Sequence, residues 1–294
     1  MTALTAAAPQ FTDHQLAEFH ATGVVRLGRV IDDGEVADLR QRIDDIMLGK
    51  QAFAGMMQLD SDSGNYGDMP AQTAGHKGAT LNYRKIEGLE ADPLFLAYLR
   101  KPLIRSLATR ILGPDVSIFR SMFMNKPAGK GTVLPWHQDG GTGWNLTGDP
   151  LVTIWLALDP ATRDNGCVQV IPGSHHFGLL SQRGHTITAE QEAEHCRRER
   201  HEQLELQPGE AVLLHNWVLH ASGTNPSGMS RRAFSVCLMD AAIRSRGQQQ
   251  FPKLFGGDSL AGRGEHPSQI CAMTYGLRPW KKSPSSPKTS HASI

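Results

Sequence analysis

Hydrophobic and polar positions divide the chain into a helical first third and a stranded remainder. Thr12 stands as an N-cap with Gln15 three residues on, the capping-box spacing, so a helix is predicted to open there. Val24 to Leu27 reads as a short strand. After Asp32 and Asp33, the residues Val36, Leu39, Ile43, Ile46 and Met47 recur at steps of three and four and predict an amphipathic helix. Residues 54–80 are rich in Gly, Asp, Ser and Met without a period and predict a long functional or mobile loop. A further helix is expected over 93–112, closed by Gly113-Pro114.

From Val116 the period shortens. Val116 to Phe119 runs into Met122 to Met124. Strands are also predicted at 168–171, 203–206, 211–214 and 232–239, separated by Asp164-Asn165-Gly166, Pro172-Gly173, Pro208-Gly209 and Asn225-Pro226-Ser227-Gly228. Over 151–159, Val152, Ile154, Leu156 and Leu158 share one face, while Leu151, Thr153, Trp155 and Ala157 share the other. That second, mixed face suits a pocket wall. Many short strands with frequent turns argue for a β-sandwich or jelly roll. Residues 188–202 read as an exposed charged helix, 1–10 and 282–294 as flexible termini, and 11–281 as a single domain. No internal repeat is present.

The 294 residues carry a net charge of +1, which gives no electrostatic case for nucleic acid or an anionic membrane surface. Cys167, Cys196, Cys237 and Cys271 lie far apart, without C-x-x-C spacing. This argues against a disulfide framework or a cysteine zinc site and fits a reducing compartment. The first ten residues lack the features of a signal peptide, and no stretch approaches the roughly 20 apolar residues of a membrane span. A cytoplasmic location is the expectation.

Chemistry concentrates at Trp136-His137-Gln138-Asp139. In an extended strand, residues i and i+2 share a face, so His137 and Asp139 present an imidazole and a carboxylate side by side, with Gln138 turned away. A third ligand must come from elsewhere. His220 is the best candidate, and His215 is the alternative, readable also as a core histidine. Two histidines and one carboxylate with the opposite face open are the ligand set of non-heme Fe(II) oxygenases. Arg231 and Arg232 are adjacent, so only one should enter the pocket; the other reads as a surface charge. A guanidinium fork suits bidentate binding of a carboxylate.

Taken together, Asn125-Lys126-Pro127, His137-Gln138-Asp139, Asp164-Asn165-Gly166-Cys167, Ile171-Pro172-Gly173-Ser174-His175 and His220-Ala221-Ser222 with the later Arg231 resemble the phytanoyl-CoA dioxygenase family, from about Phe11 to Met239. The resemblance implies a mainly β fold with flanking helices, a double-stranded β-helix (jelly roll), holding Fe(II) and using 2-oxoglutarate as co-substrate with dioxygen. By the same resemblance the metal ligands are His137, Asp139 and His220. The 2-oxoglutarate contacts are Arg231, eleven residues after His220, with Ser222 and Trp155, and further Lys85, Met122 and Asn125. Trp144, in the glycine-rich loop after the ligands, is expected at the substrate mouth, and His175 either in structure or on the substrate side. The expected reaction is hydroxylation of an unactivated C–H bond of a small metabolite or natural-product intermediate. Desaturation, cyclisation or another rearrangement on the same scaffold is the alternative. A halogenase is disfavoured by Asp139, and a non-redox zinc hydrolase or jelly-roll binding module by Arg231. Residues 240–281 match no motif.

Overall fold

A computed structural model describes residues 10–181 and 186–260. The expected tails 1–10 and 282–294, apart from Gln10, and the domain's expected end at 281 lie outside the described residues.

The helical third follows its caps. Helix α1 (Asp13–Thr22) carries the reciprocal Thr12–Gln15 capping box and ends at Gly23, whose N–H donates to the Phe19 carbonyl at 2.8 Å. Gly23 is left-handed (φ 71°), and a Cβ there would lie 2.4 Å from Val218 and 2.7 Å from His175, so glycine is required on both counts. Helix α2 (Asp33–Met47) is capped by Asp32 and Glu35 and buries Val36, Leu39, Ile43, Ile46 and Met47, the predicted stripe. The helix expected over 93–112 is two helices, α3 (Pro93–Leu99) and α4 (Pro102–Leu112). Pro102 holds Lys101 extended (ψ 145°), which ends the first helix and opens the second at its N1 position.

The strands form two antiparallel sheets. Thirteen strands are present among the described residues: β1 (Val24–Arg29), β2 (Met56–Leu59), β3 (Thr73–Ala74), β4 (Tyr83–Glu87), β5 (Val116–Lys126), β6 (Leu134–His137), β7 (Val152–Ala157), β8 (Val168–Val170), β9 (Glu202–Leu204), β10 (Glu210–His215), β11 (His220–Ser222), β12 (Arg231–Asp240) and β13 (Lys253–Phe255). The larger, nine-stranded sheet runs β1-β10-β7-β12-β5-β4-β2-β3, with β13 also paired to β5; the smaller runs β6-β11-β8-β9. This is the jelly roll, with helices packed on the outer face of the larger sheet.

The two faces of β7 and β12 do different jobs. Val152, Ile154, Leu156, Leu158, Phe234, Val236 and Leu238 join the helices in the main apolar core. Trp155, Ala157, Val212 and Ala233 face inward with Val170 and Leu204 of the smaller sheet, so the mixed face of β7 does line the interior. Residues 54–80, expected as a loop, contribute β2 and β3, which extend the sheet beyond β4. Met57 is fully buried there, but a four-residue strand offers too few alternations to be read from sequence. Over 188–202 only Ala189–His195 is α-helical (α5), followed by a 3₁₀ turn at Arg198–Arg200. Part of the unassigned segment 240–281 also finds its place, since β13 pairs with the start of β5.

Candidate metal centre

Strand pairing builds the centre. β11 runs antiparallel to β6 with His220 opposite His137, so the two imidazoles face each other across one ladder step, ring centroids 3.9 Å apart. Asp139 follows β6 by two residues, and its N–H donates to the Asn216 carbonyl at 2.8 Å, turning the carboxylate toward the rings. His220 Nε2 lies 3.8 Å from Asp139 Oδ2. Ligand atoms of His137, Asp139 and His220 all fall within 4.8 Å of one another, the one such group of three among the described residues.

Each ring is oriented by its own strand. His137 Nδ1 donates to the Pro135 carbonyl at 2.8 Å and His220 Nδ1 to the Val218 carbonyl at 2.9 Å. A carbonyl only accepts, so Nδ1 carries the proton, and in the neutral ring Nε2 presents its lone pair, the form a metal needs. Gln138 turns away as expected. Its amide donates to the Gly178 and Trp217 carbonyls and accepts from the Leu180 N–H, which ties the flanking loops behind the centre. His215 is elsewhere. Its Nδ1 accepts from the Trp217 N–H at 3.0 Å, its ring packs on Phe19 and His175, and burial depresses its pKa to about 4, with His175, His176 and His20 adding.

A second group of polar residues lies along the interior from the centre. Arg231 is buried, its guanidinium 5.4 Å above the Trp155 ring, and its Nε has no hydrogen-bond partner among the described residues. Burial lowers its pKa to about 10, with Arg84 adding, while Cys167 and Asp159 oppose. Lys126 stands opposite Arg231 in the β5–β12 ladder and donates to the Thr132 carbonyl at 2.6 Å; burial, then Arg231 and Arg84, bring its pKa down to about 6. Buried cations with an unused donor fit an anionic ligand such as a dicarboxylate. Ser222 is buried two residues along β11 from His220, on the same face. Met122 shares its face with Ser235 of β12 and Glu87 of β4; Lys85 pairs with Glu87 at 2.9 Å, holding that carboxyl down at about 2 against the opposing effect of burial.

Asn125 and Arg232 depart from expectation, and His175 takes the structural one of its two readings. Asn125 is opposite Arg232 in the ladder, on the face turned from the interior, and its amide donates to the Leu81 and Tyr83 carbonyls, so the structure does not bring it to Arg231. His175 packs beneath α1, its Nε2 on the His20 carbonyl at 3.1 Å and its ring against His176 and His215. That is a structural position away from the mouth. Arg232 does leave the interior, but as a clamp and not as a surface charge, donating to Asp159 and Asp44. Trp144, in the loop after the ligands, stacks on Phe119 at 4.7 Å, with Arg120 above both rings. Sequence reasoning assigned no role to Arg84, Arg120 or Lys126. The alternation Arg120, Met122, Met124, Lys126 was the available signal for two of them.

A jelly roll with a His-x-Asp…His centre on its inner face defines the class of non-heme metal oxygenases. The phytanoyl-CoA dioxygenase (PhyH) profile matches residues 19–233, and the chain belongs to that family, which makes it an oxygenase. A phytanoyl-CoA dioxygenase of Arabidopsis thaliana is 26% identical over 255 residues, 78% of this chain and 89% of that protein. Among solved structures, EctD from S. alaskensis with 2-oxoglutarate and 5-hydroxyectoine superposes with a TM-score of 0.63 at 22% identity, covering 89% of this chain and 87% of that one. SnoK, a non-heme alpha-ketoglutarate-dependent carbocyclase from nogalamycin biosynthesis, gives 0.61 at 19%, covering 81% and 88%. At those identities the two structures speak for the fold.

Proposed function

We propose that the protein is an Fe(II)- and 2-oxoglutarate-dependent oxygenase that hydroxylates an unactivated C–H bond of a small metabolite or natural-product intermediate. One observation carries the reading. Two imidazole Nε2 atoms and a carboxylate cluster within ligand distance, while the buried Arg231 keeps an unpartnered Nε on the same interior. His137, Asp139 and His220 would hold iron; Arg231 would take the distal carboxylate of 2-oxoglutarate. When bound, iron and 2-oxoglutarate together supply the oxidising power, using dioxygen and releasing succinate and carbon dioxide.

The chain's own residues position and protect. Arg231 offers a planar fork, flanked by the Trp155 ring, to a carboxylate that has left water, which strengthens each hydrogen bond. Lys126, pressed toward neutrality, can donate there without a full second charge. Ser222, buried on β11 two residues from His220, would add a hydroxyl, and Met122 on the interior face of β5 would help exclude bulk water. Asp139 fills the position that a halide would need. The fold shared with a carbocyclase keeps cyclisation as the alternative outcome, decided by substrate pose.

The test is anaerobic titration of iron-loaded protein with 2-oxoglutarate, followed visibly as a metal-to-ligand charge-transfer band. Iron-dependent succinate release on admitting oxygen completes it. The expected result is saturable binding lost in Arg231→Gln. A protein that binds zinc but neither binds nor consumes 2-oxoglutarate with iron overturns the reading.

A further inference from the structure

We propose that the prime substrate carries a carboxylate or comparable oxyanion and that Arg120, beside Trp144 on the interior face of β5, binds it. This rests on the oxygenase reading and adds the chemical class of the substrate.

Register places Arg120 at the opposite end of the interior from the co-substrate cations. Arg231 pairs with Lys126, whereas Arg120 pairs with Cys237, six residues farther along β12, which is about 20 Å of strand. Cys237 in turn is linked to the metal centre through Asn216. Its sulfur accepts from Asn216 Nδ2 at 3.0 Å, and the Asn216 carbonyl accepts the Asp139 N–H. Asp139 and Arg120 also both act electrostatically on the Tyr66 phenol, whose pKa is raised first by burial. Arg231 and Arg120 thus stand at opposite ends of the interior face of β12, with Arg120 at the end that Cys237 and Asn216 link to Asp139.

Arg120 is held in place but not satisfied. Its guanidinium carbon lies 4.9 Å from the Phe119 ring centroid and 5.4 Å from that of Trp144, so the side chain is pinned against two stacked rings. Its nearest carboxylate oxygen is Glu87 Oε1 at 3.8 Å, beyond hydrogen-bond reach, because Lys85 already takes Glu87 at 2.9 Å. The guanidinium donates no hydrogen bond to a described residue and is one-third exposed. A fixed fork with its donors unused, set against aromatic faces, is the geometry of an oxyanion receptor.

Charge points the same way. β4, β5 and β12 turn Lys85, Arg120, Lys126 and Arg231 inward against one carboxylate, Glu87. Lys85 is matched by Glu87, Arg231 by the distal carboxylate of 2-oxoglutarate, and Lys126 is driven toward its neutral form. Arg120 has only a share of Glu87, at 3.8 Å and in competition with the closer Lys85, and a substrate anion would complete it. Trp144, in the loop after the ligands, then offers a flat wall to the apolar remainder of the molecule.

Matched probes test this in the iron- and 2-oxoglutarate-loaded protein without oxygen: phenylacetate against phenylacetamide, 3-phenylpropionate against its amide, and octanoate against octanamide, read by calorimetry and thermal shift. At least one acid should outbind its amide on the native protein by about tenfold. Arg120→Gln should erase that difference, leave the amides within about twofold, and leave 2-oxoglutarate affinity unchanged; Arg120→Lys should recover part of it. Acids and amides that bind alike to the native protein overturn the proposal. So does an Arg120→Gln variant that weakens both partners of each pair equally, since Arg120 would then only support Trp144. If the native protein fails to bind 2-oxoglutarate before any probe is added, the oxygenase reading fails instead, and the same pairs run on the metal-free protein decide the role of Arg120.

Discussion

Arg232 makes a strong prediction about stability because it lies one residue from the co-substrate arginine and does a different job. Its Nε donates to Asp159 Oδ2 at 2.7 Å, its Nη2 to Oδ1 at 3.0 Å, and its Nη1 to Asp44 Oδ1 at 2.6 Å on α2. Burial alone would lower the guanidinium pKa; the hydrogen bonds and charges of Asp159 and Asp44 outweigh it and raise it. The Asp159 side chain is only 8% exposed, so Arg232→Ala strands a buried carboxylate. Breaking such a pair costs about 3–5 kcal/mol. Arg40 Nε, at 3.6 Å from Asp159, offsets part of this, and the Asp44 contact is partly screened by solvent, so the low end applies, about 3 kcal/mol. For a folded unit of this size that corresponds to a melting temperature lower by roughly 6–12 °C. Arg232→Lys keeps the charge but loses the fork and should fall by roughly half as much. The assay is thermal unfolding by circular dichroism with urea titration alongside, and with Asp159→Asn completing a double-mutant cycle. A melting temperature within about 2 °C of native for Arg232→Ala, or additivity in the cycle, would refute the reasoning.

Further outcomes follow from the interior. His137→Ala, Asp139→Ala and His220→Ala should each lower iron occupancy and abolish succinate release, while His215→Ala keeps most of its iron; metal analysis decides, and the reverse result at the two late histidines would move the centre. Arg231→Lys loses a paired hydrogen bond worth on the order of 2 kcal/mol, so the 2-oxoglutarate Kd should rise more than about tenfold, with no comparable loss of melting temperature. His215 is held neutral in the fold at about 4 against an ordinary 6.5, so the unfolded chain takes up its proton first as pH falls. Its contribution to stability is complete above 6.5 and lost toward 4. Metal-free native protein should therefore lose melting temperature across that window faster than His215→Gln, and parallel curves would sink the assignment.

Local chemistry made much of this protein legible before folding. Thr12 with Gln15 and Asp32 with Glu35 announce helix starts because a cap is satisfied within four residues. His137 and Asp139 can be paired from spacing alone because strand geometry is periodic. Pro102 was equally visible, and the split between α3 and α4 needed only its effect on Lys101. Which side of a strand faces the interior is a different kind of fact. Asn125 and Lys126 are neighbours in one motif, but the pairing of β5 with β12 sends one toward the helices and the other toward Arg231. Likewise Arg231 and Arg232 differ only in phase, and it takes Asp44 on α2 and Asp159 beyond β7 to make the second a clamp. His215 and His220 are both strand histidines. His220 meets His137 because β11 pairs with β6, whereas β10 pairs with β7 and β1 and leaves His215 beneath α1. Spacing along the chain therefore determined what each residue could offer, and the pairing of distant strands decided which offers meet.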